Sequence, residues 1–316
     1  MRLYIVVPCY NEQEALPCTA EQLKATLLGL CKKELVSSDS KILFVDDGST
    51  DNTWNIISAL CSSDDTFEAI RLSKNEGHQN ALLAGLMTAK DVCDAAISID
   101  ADLQDDVCAM EEFIRCYLDG CDVVFGVRKS RNSDNFLKRS TANGYYKLLA
   151  LFGHNVIKDH ADFRLMSRRA LDALSEYKET NLFLRGIARD IGFKTECVYY
   201  DRKARSQGGS KYSPKKMLRL ACDGLTSNAR FIDVIAILSV LPILLGVGLL
   251  IFALIRAVLG STDFNLILLG VILLLSGIQL VAVWIVGKYV GKTLSEAKGR
   301  PRYIISEKRN CPEDEK

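Results

Sequence analysis

The feature that most restricts the fold is a repeat of short apolar runs, each giving way to a polar loop and then to a helical pattern. Leu3–Val7 is the first run and is closed by Pro8, which ends a buried strand. A helix follows over about 14–33. Lys41–Val45 is the second run, with Ser49 or Thr50 placed to cap a helix over 51–61. Phe67–Leu72 precedes a helix at about 79–89. Ala95–Ile99 precedes one at about 107–118, and Asp122–Gly126 closes the series. Strand, loop and helix in repetition predict an α/β fold, a Rossmann-like and mostly parallel sheet covered by helices.

Ligands of such sheets bind outside the carboxyl ends of the strands. Polar residues collect at those ends here: Pro8 to Glu12, Asp46-Asp47-Gly48-Ser49, Asn75 to His78 and Asp100 to Gln104. The last is the most telling. On an extended backbone residues i and i+2 share a side, so Asp100 and Asp102 would face one target together, with Gln104 following. Two carboxylates that close repel unless something positive lies between them. Mg2+ or Mn2+ is the natural occupant, shared with a phosphate. The competing reading of this stretch alone is a solvated acidic turn. Four acidic or polar turns on one edge favour the metal.

Composition excludes several classes. The 316 residues carry a formal net charge of +1, which gives no general attraction to nucleic acid. The 11 cysteines have no CxxC spacing, and no histidine stands near them at zinc-ligand spacing, so reduced and mostly buried thiols are expected. Neither G-x-G-x-x-G nor G-x-x-x-x-G-K-[ST] occurs. No N-terminal signal peptide is expected, because Met1-Arg2 leads straight into a strand.

Taken in order, Val6-Val7-Pro8-Cys9-Tyr10-Asn11-Glu12, Val45-Asp46-Asp47-Gly48-Ser49-Thr50-Asp51, Asn75-Glu76-Gly77-His78 and Asp100-Ala101-Asp102 resemble the family 2 glycosyltransferases of A-type fold. The resemblance implies that Pro8, Tyr10, Asn11, Glu12, Asp46, Asp47, Asn75, Gly77, His78 and Asp100 surround a nucleotide-sugar donor. It also implies that Asp100, Asp102 and, with spacing in its favour, Gln104 hold the metal on the diphosphate. Asp46 or Asp47 would accept hydrogen bonds from uracil or ribose, with nothing to choose between them.

The middle of the chain is basic. A predicted amphipathic helix over 135–152 mixes Lys138, Arg139 and Lys147 with aromatic and aliphatic residues, which suits either a membrane surface or packing on the core. The loop from Arg202 to Ser213 combines glycine with Arg205, Ser210 and Lys211, a segment fit to grip an anion. Ala161-Asp162-Phe163-Arg164-Leu165 and Arg205-x-x-Gly208-x-Ser210-Lys211 narrow the resemblance to the polyprenyl-phosphate glycosyltransferases, which include bactoprenol glucosyltransferases and dolichyl-phosphate mannose synthases. By that resemblance Arg128, Arg139, Arg205, Ser210 and Lys211 hold a lipid phosphate. Asp162 lies beside the reaction centre, and Asp102, Asp162 and Arg128 form the catalytic set.

Two apolar runs follow. Ile232–Ile255 has a single charge, Asp233, near its start, and Phe264–Val286 has none. Each exceeds the roughly 20 residues that cross a bilayer, so a transmembrane hairpin is expected. Basic residues on both flanks place both termini and the catalytic domain in the cytoplasm, on the inner membrane. The expected organisation is a transferase domain over 1–212, an interfacial helix over 213–231, the hairpin over 232–287 and a tail over 288–316. In the tail, Gly299–Ile305 can pair as an edge strand, and residues 310–316 are expected to be disordered.

These readings converge on inverting transfer of one sugar from a UDP-sugar, in preference to a GDP-sugar, to undecaprenyl phosphate. The resemblance further implies a homo-oligomer. A processive polysaccharide synthase would need more membrane helices. A non-catalytic lipid-binding scaffold would not need the Asp-x-Asp. The sequence leaves the sugar open among glucose, mannose, N-acetylhexosamines and formamido-arabinose.

Overall fold

The computed structural model describes residues 1–128, 160–178, 184–201 and 264–311. The chain divides into two compact units, Met1–Ser213 with Pro301–Lys316, and Pro214–Arg300.

The first unit is built on one eight-stranded sheet. Its strands are β1 (Leu3–Cys9), β2 (Lys41–Asp46), β3 (Phe67–Leu72), β4 (Ala95–Ser98), β5 (Val123–Arg128), β6 (His160–Ser167), β7 (Thr195–Tyr200) and β8 (Ile305–Arg309). Their order across the sheet is β7-β5-β6-β4-β1-β2-β3-β8. β6 runs antiparallel to both β4 and β5, and β8 antiparallel to β3; the other pairings are parallel. The expected mostly parallel α/β sheet is therefore present.

All seven residues of β1 are buried, as expected of a strand covered on both faces. Its alternation splits the core. Leu3, Ile5, Val7 and Cys9 join one apolar cluster with α1 (Leu16–Lys32), α2 (Thr53–Ser63) and α4 (Ala109–Leu118). Tyr4 and Val6 join another with α3 (His78–Lys90), α5 (Arg168–Ser175) and α6 (Leu184–Asp190). Helix α3 lies so near the sheet that a Cβ on Gly85 would come within 2.4 Å of Val6 Cγ1 and 2.7 Å of Val45 Cγ2.

Several sequence expectations are corrected. β1 does not stop before Pro8 but continues to Cys9. The Val6 carbonyl accepts from Ile99 N on the β4 side, so Pro8, two residues on, turns its nitrogen the same way. β4 pairs with β1 only as far as Val6, so no ladder bond is lost there. Neither Ser49 nor Thr50 caps α2; Asp51 Oδ1 accepts from Thr53 N and Oγ1 instead. The segment around Asp162 is a full strand, which its motif alone had not suggested. The tail does pair at the sheet edge, but through Ile305–Arg309. Asn310 is tied down, its side-chain amide donating to the carbonyls of Cys61 and Phe67. The ten cysteines among the described residues are free thiols.

In the second unit the described part is α7 (Phe264–Ala297) and the three residues after it. The predicted helices over 135–152 and 213–231 and the span 232–255 lie outside the described residues. The span 264–286 falls on α7. Many of that helix's side chains are also outside the described set, and among the described residues no helix is long and apolar enough to cross a membrane. The hairpin therefore stays a reading of the sequence.

Gly85→Ala provides a test of the packing. Alanine favours a helix by about 1 kcal/mol over glycine, whereas overpacking a core costs about 1–3 kcal/mol. Since the neighbours are buried, stiff valine side chains, the clash should win and the melting temperature should fall. Adding Val6→Ala should recover part of the loss.

Candidate active site

The site grows from the carboxyl ends of β1, β2 and β4. The chain runs outward from β1 through β2 to β3 and then returns to place β4 on the other side of β1. The crevice of a doubly wound sheet lies at such a reversal of strand order.

The first two loops are stitched together by short hydrogen bonds. Asn11 takes a left-handed conformation, φ 53°, and its N–H donates to Ser49 Oγ at 3.0 Å while its Oδ1 accepts from Thr50 N at 2.9 Å. Glu12 N donates to Thr53 Oγ1 at 2.9 Å. Tyr10 is exposed on the same loop. The second loop presses on the third. Gly48 has φ +65°, and a Cβ there would lie 2.6 Å from the Lys74 carbonyl carbon. Glycine alone fits both the angle and the approach.

Asp46 and Asp47 are buried, and both have internal partners. Asp46 accepts from Ser49 N at 3.2 Å and forms an ion pair with Arg71 Nε at 3.2 Å. Asp47 accepts from Glu76 N at 2.8 Å and Gly77 N at 3.0 Å, which sets the Asn75–His78 loop. Burial pushes the Asp47 carboxyl up to about 6 despite those amides. Burial raises Asp46 as well. In this structure both residues brace the loops from within.

Asp100 and Asp102 do not lie on a strand. β4 ends at Ser98, and Leu103 N donates back to the Asp100 carbonyl in a turn, with Leu103 at φ 43°. The strand alternation expected to align the two carboxylates is therefore replaced by a turn. The turn is held by the Thr19 hydroxyl on the Ala101 carbonyl at 2.6 Å and by Gln104 N on Asp102 Oδ1 at 3.3 Å. Gln104 itself is buried.

Beside this turn β6 brings Asp162, also buried. His78, the first residue of α3, bridges the two, with Nε2 3.5 Å from Asp100 Oδ1 and 3.4 Å from Asp162 Oδ2. Arg164, 1% exposed, donates to Asp162 Oδ1 at 2.8 Å and to the Leu184 carbonyl at 2.9 Å. The Ser98 hydroxyl donates to the Asp162 carbonyl. Arg128, at the end of β5, grips buried Asp105 through Nε at 2.9 Å and Nη2 at 3.1 Å. That pair holds the guanidinium charged against its own burial.

Asp100 Oδ1 is buried and has no hydrogen-bond partner among the described residues, although the side chain as a whole is 38% exposed. Burial raises its carboxyl above the usual range, His78 opposes this, and Asp162, Asp105 and Asp102 add to it. A buried carboxylate oxygen amid other carboxylates, with the His78 nitrogen beside it, fits a divalent cation such as Mg2+ or Mn2+. Among the described residues no three His, Cys, Asp or Glu form a cage for one. Such an ion would take its other ligands from phosphate and water, as Mg2+ commonly does.

Sequence reasoning missed Asp105, Arg164, Ser98 and Arg71. Asp105 follows directly on the acidic stretch, and Arg164 stands two residues from Asp162 on a strand, so spacing offered a signal for both. Arg139, Arg205, Ser210 and Lys211 lie outside the described residues.

Fold and carboxylate edge together define an α/β enzyme of the A-type glycosyltransferase architecture. The model of the family "Glycosyl transferase family 2" matches residues 4–175. The chain is 46% identical over 309 residues to the "Uncharacterized glycosyltransferase YkoT" of Bacillus subtilis, covering 96% of this chain and 90% of the relative. It is 36% identical over 313 residues to the "Prophage bactoprenol glucosyl transferase homolog" of Escherichia coli, covering 96% and 98%. It is 35% identical over 313 residues to the "SfII prophage-derived bactoprenol glucosyl transferase" of Shigella flexneri, covering 96% and 97%. The chain belongs to glycosyl transferase family 2 and is a glycosyltransferase.

Two predictions follow from the geometry. Arg164→Met strands a buried carboxylate and should cost about 3–5 kcal/mol, read as a large fall in melting temperature; Arg164→Lys should recover part of it. The second concerns pH. The folded pKa of Asp47 lies above that of the unfolded chain, so ionising Asp47 opposes folding, and its adverse effect grows as pH rises from about 4 to about 6. Relative to Asp47→Asn, wild type should lose up to about 3 kcal/mol across that interval, measured as the difference in their melting temperatures at pH 4 and pH 7.

Proposed function

We propose that this enzyme transfers a single hexose from a UDP-sugar, such as UDP-glucose, to polyprenyl phosphate, undecaprenyl phosphate in bacteria, with inversion at C1. The observation that carries the reading is the convergence of Asp100 and Asp162 on His78, with Asp100 Oδ1 buried 3.5 Å from His78 Nε2 among neighbouring carboxylates. The names of two relatives, bactoprenol glucosyl transferases, support the acceptor class.

In this reading the donor nucleotide lies over the loops of Tyr10, Asn11 and Glu12, of Asp46 and Asp47, and of Asn75, Gly77 and His78. Asp46 and Asp47 act chiefly by holding those loops in place. Asp100 and Asp102, with Gln104 adjoining, would hold Mg2+ or Mn2+. When bound, that ion would supply Lewis-acid stabilisation of the departing diphosphate. The acceptor phosphate oxygen forms the new bond to C1 as the bond from C1 to the diphosphate breaks, and the electron pair leaves with the nucleoside diphosphate. A phosphate monoester is largely dianionic near neutral pH, so no base need remove a proton. Catalysis then rests on alignment and on charge stabilisation. Arg128 would meet the acceptor phosphate, joined by Arg139, Arg205, Ser210 and Lys211. Asp162, held by Arg164 and the Ser98 hydroxyl, would position the reacting groups through His78.

Membrane attachment belongs to the same proposal. The sequence supports it through the runs 232–255 and 264–286 with their basic flanks. Exposed Leu268, Ile272, Leu275, Val286 and Val290 on α7 are also in keeping with lipid contact. The basic flanks favour a cytoplasmic active site at the inner membrane face, where a soluble nucleotide sugar and a lipid phosphate can meet.

The decisive test is purified enzyme with undecaprenyl phosphate and a panel of UDP- and GDP-sugars, with the lipid product read by mass spectrometry. One sugar phospholipid should form, and its formation should stop on chelation and return with Mg2+ or Mn2+. Asp102→Ala should lower turnover by about two to three orders of magnitude while the melting temperature holds. No lipid product from any donor would overturn the reading.

A further inference from the structure

The C-terminal strand is wired into the loop that carries Asp46. β8 lies at the edge of the sheet, antiparallel to β3, with Arg71 opposite Glu307. Arg71 divides its guanidinium between two carboxylates. Nε stands 3.2 Å from buried Asp46 Oδ2, and Nη1 stands 3.3 Å from Glu307 Oε1. The guanidinium carbon also lies 5.6 Å from the centroid of the Trp54 ring. The backbone is joined at the same place, with the Ser306 hydroxyl on the Arg71 carbonyl at 3.1 Å and Ser73 N on the Ile304 carbonyl at 2.9 Å.

From Asp46 the chain of contacts continues into the first loop. Asp46 Oδ1 accepts from Ser49 N, and Ser49 Oγ accepts from Asn11 N. Burial weakens the case for an ionised Asp46, and Arg71 is the cation that opposes that effect. Held by Asp46 and the Trp54 ring alone, an arginine with 32% of its side chain exposed has other rotamers to occupy besides the one that reaches Asp46. Glu307 supplies that anchor from a strand that follows the second unit in sequence.

We propose that Glu307 is a positioning residue for the nucleotide-sugar donor, acting through Arg71 and Asp46 on the Asn11 and Ser49 loops. The C-terminal strand is then a working part of the donor site as well as an edge cover. This rests on the donor reading above, in which those loops surround the nucleotide. In this reading Glu307 acts on Arg71 and not on the substrate itself. Its effect is on how often the donor loops hold the shape that binds.

The test uses the full-length enzyme and steady-state kinetics with both substrates varied. Glu307→Gln keeps size and loses the charge. It should raise KM for the nucleotide sugar about three- to fivefold, the scale of one partly exposed ion pair. The kcat and the KM for polyprenyl phosphate should stay within twofold. Arg309→Gln removes the other cation that meets Glu307, at 3.4 Å, and should leave the donor KM unchanged. In an Arg71→Gln background, Glu307→Gln should add nothing further, because the pathway is already broken. Hydrogen exchange at the β8 amides should match wild type in Glu307→Gln, which separates positioning from loss of the strand. Equal donor KM values for wild type and Glu307→Gln would overturn the proposal. So would a fall in kcat with both KM values raised alike, or additive effects in the double variant. A wild-type enzyme that makes no product would instead count against the donor reading itself.

Discussion

Repulsion among carboxylates at one edge of the sheet is the constraint on which the site depends. Asp46, Asp47, Asp100, Asp105 and Asp162 all reach that edge, and each is treated differently. Asp47 receives two backbone amides. Asp46 has Arg71, Asp105 has the fork of Arg128, and Asp162 has Arg164. Among the described residues Asp100 Oδ1 stands 3.5 Å from His78 and receives no hydrogen bond. Arginine thus meets Asp46, Asp105 and Asp162, whereas Asp100 lies among carboxylates and a histidine, neighbours that suit a metal ion. The cations arrive from β3, β5 and β6. Antiparallel β6, wedged between β4 and β5, is what carries Asp162 and Arg164 to the Asp100 turn.

The loops around this cluster are set before any ligand arrives. A left-handed Asn11 and a left-handed Leu103 are each locally unfavourable, whereas Gly48, pressed on Lys74, adopts its left-handed angle freely. Asn11 is held by hydrogen bonds to the Ser49-Thr50 loop, and Leu103 by its own N–H on the Asp100 carbonyl. A nucleotide bound there would meet a surface whose ordering cost was met during folding, which favours affinity.

Much of the fold was legible because its signals are periodic. The apolar runs of β1 to β5 and the helices between them follow directly from strand and helix spacing, and the polar strand ends do gather at one edge of the sheet. β6 was not legible in that way. His160–Ser167 carries Asp162 and Arg164 inward, so a buried ion pair interrupts the apolar pattern that marks a strand. The Asp-x-Asp was recognised, but its geometry was not: the turn at Asp100 needs Leu103 at positive φ, a conformation that leucine does not advertise. Asp105 escaped notice because its partner, Arg128, is 23 residues away, and only the sheet brings them together. The partners of Asp46 and Asp47 were hidden for the same reason.

The Arg128–Asp105 pair bears on how an acceptor would be held. Arginine has five N–H donors, and Asp105 takes two of them through Nε and Nη2. Asp105 is almost wholly buried, so expelling it would leave a carboxylate uncompensated in a region of low dielectric, a costly exchange for any incoming phosphate. An acceptor phosphate on Arg128 is better served by the donors that Asp105 does not use, with the pair kept intact. Asp105 would then orient the guanidinium and keep it charged, and a phosphate would meet a cation already fixed in place. In that arrangement replacing Arg128 by lysine is not conservative, because a point charge cannot grip Asp105 bidentately and also present a directed donor to the phosphate.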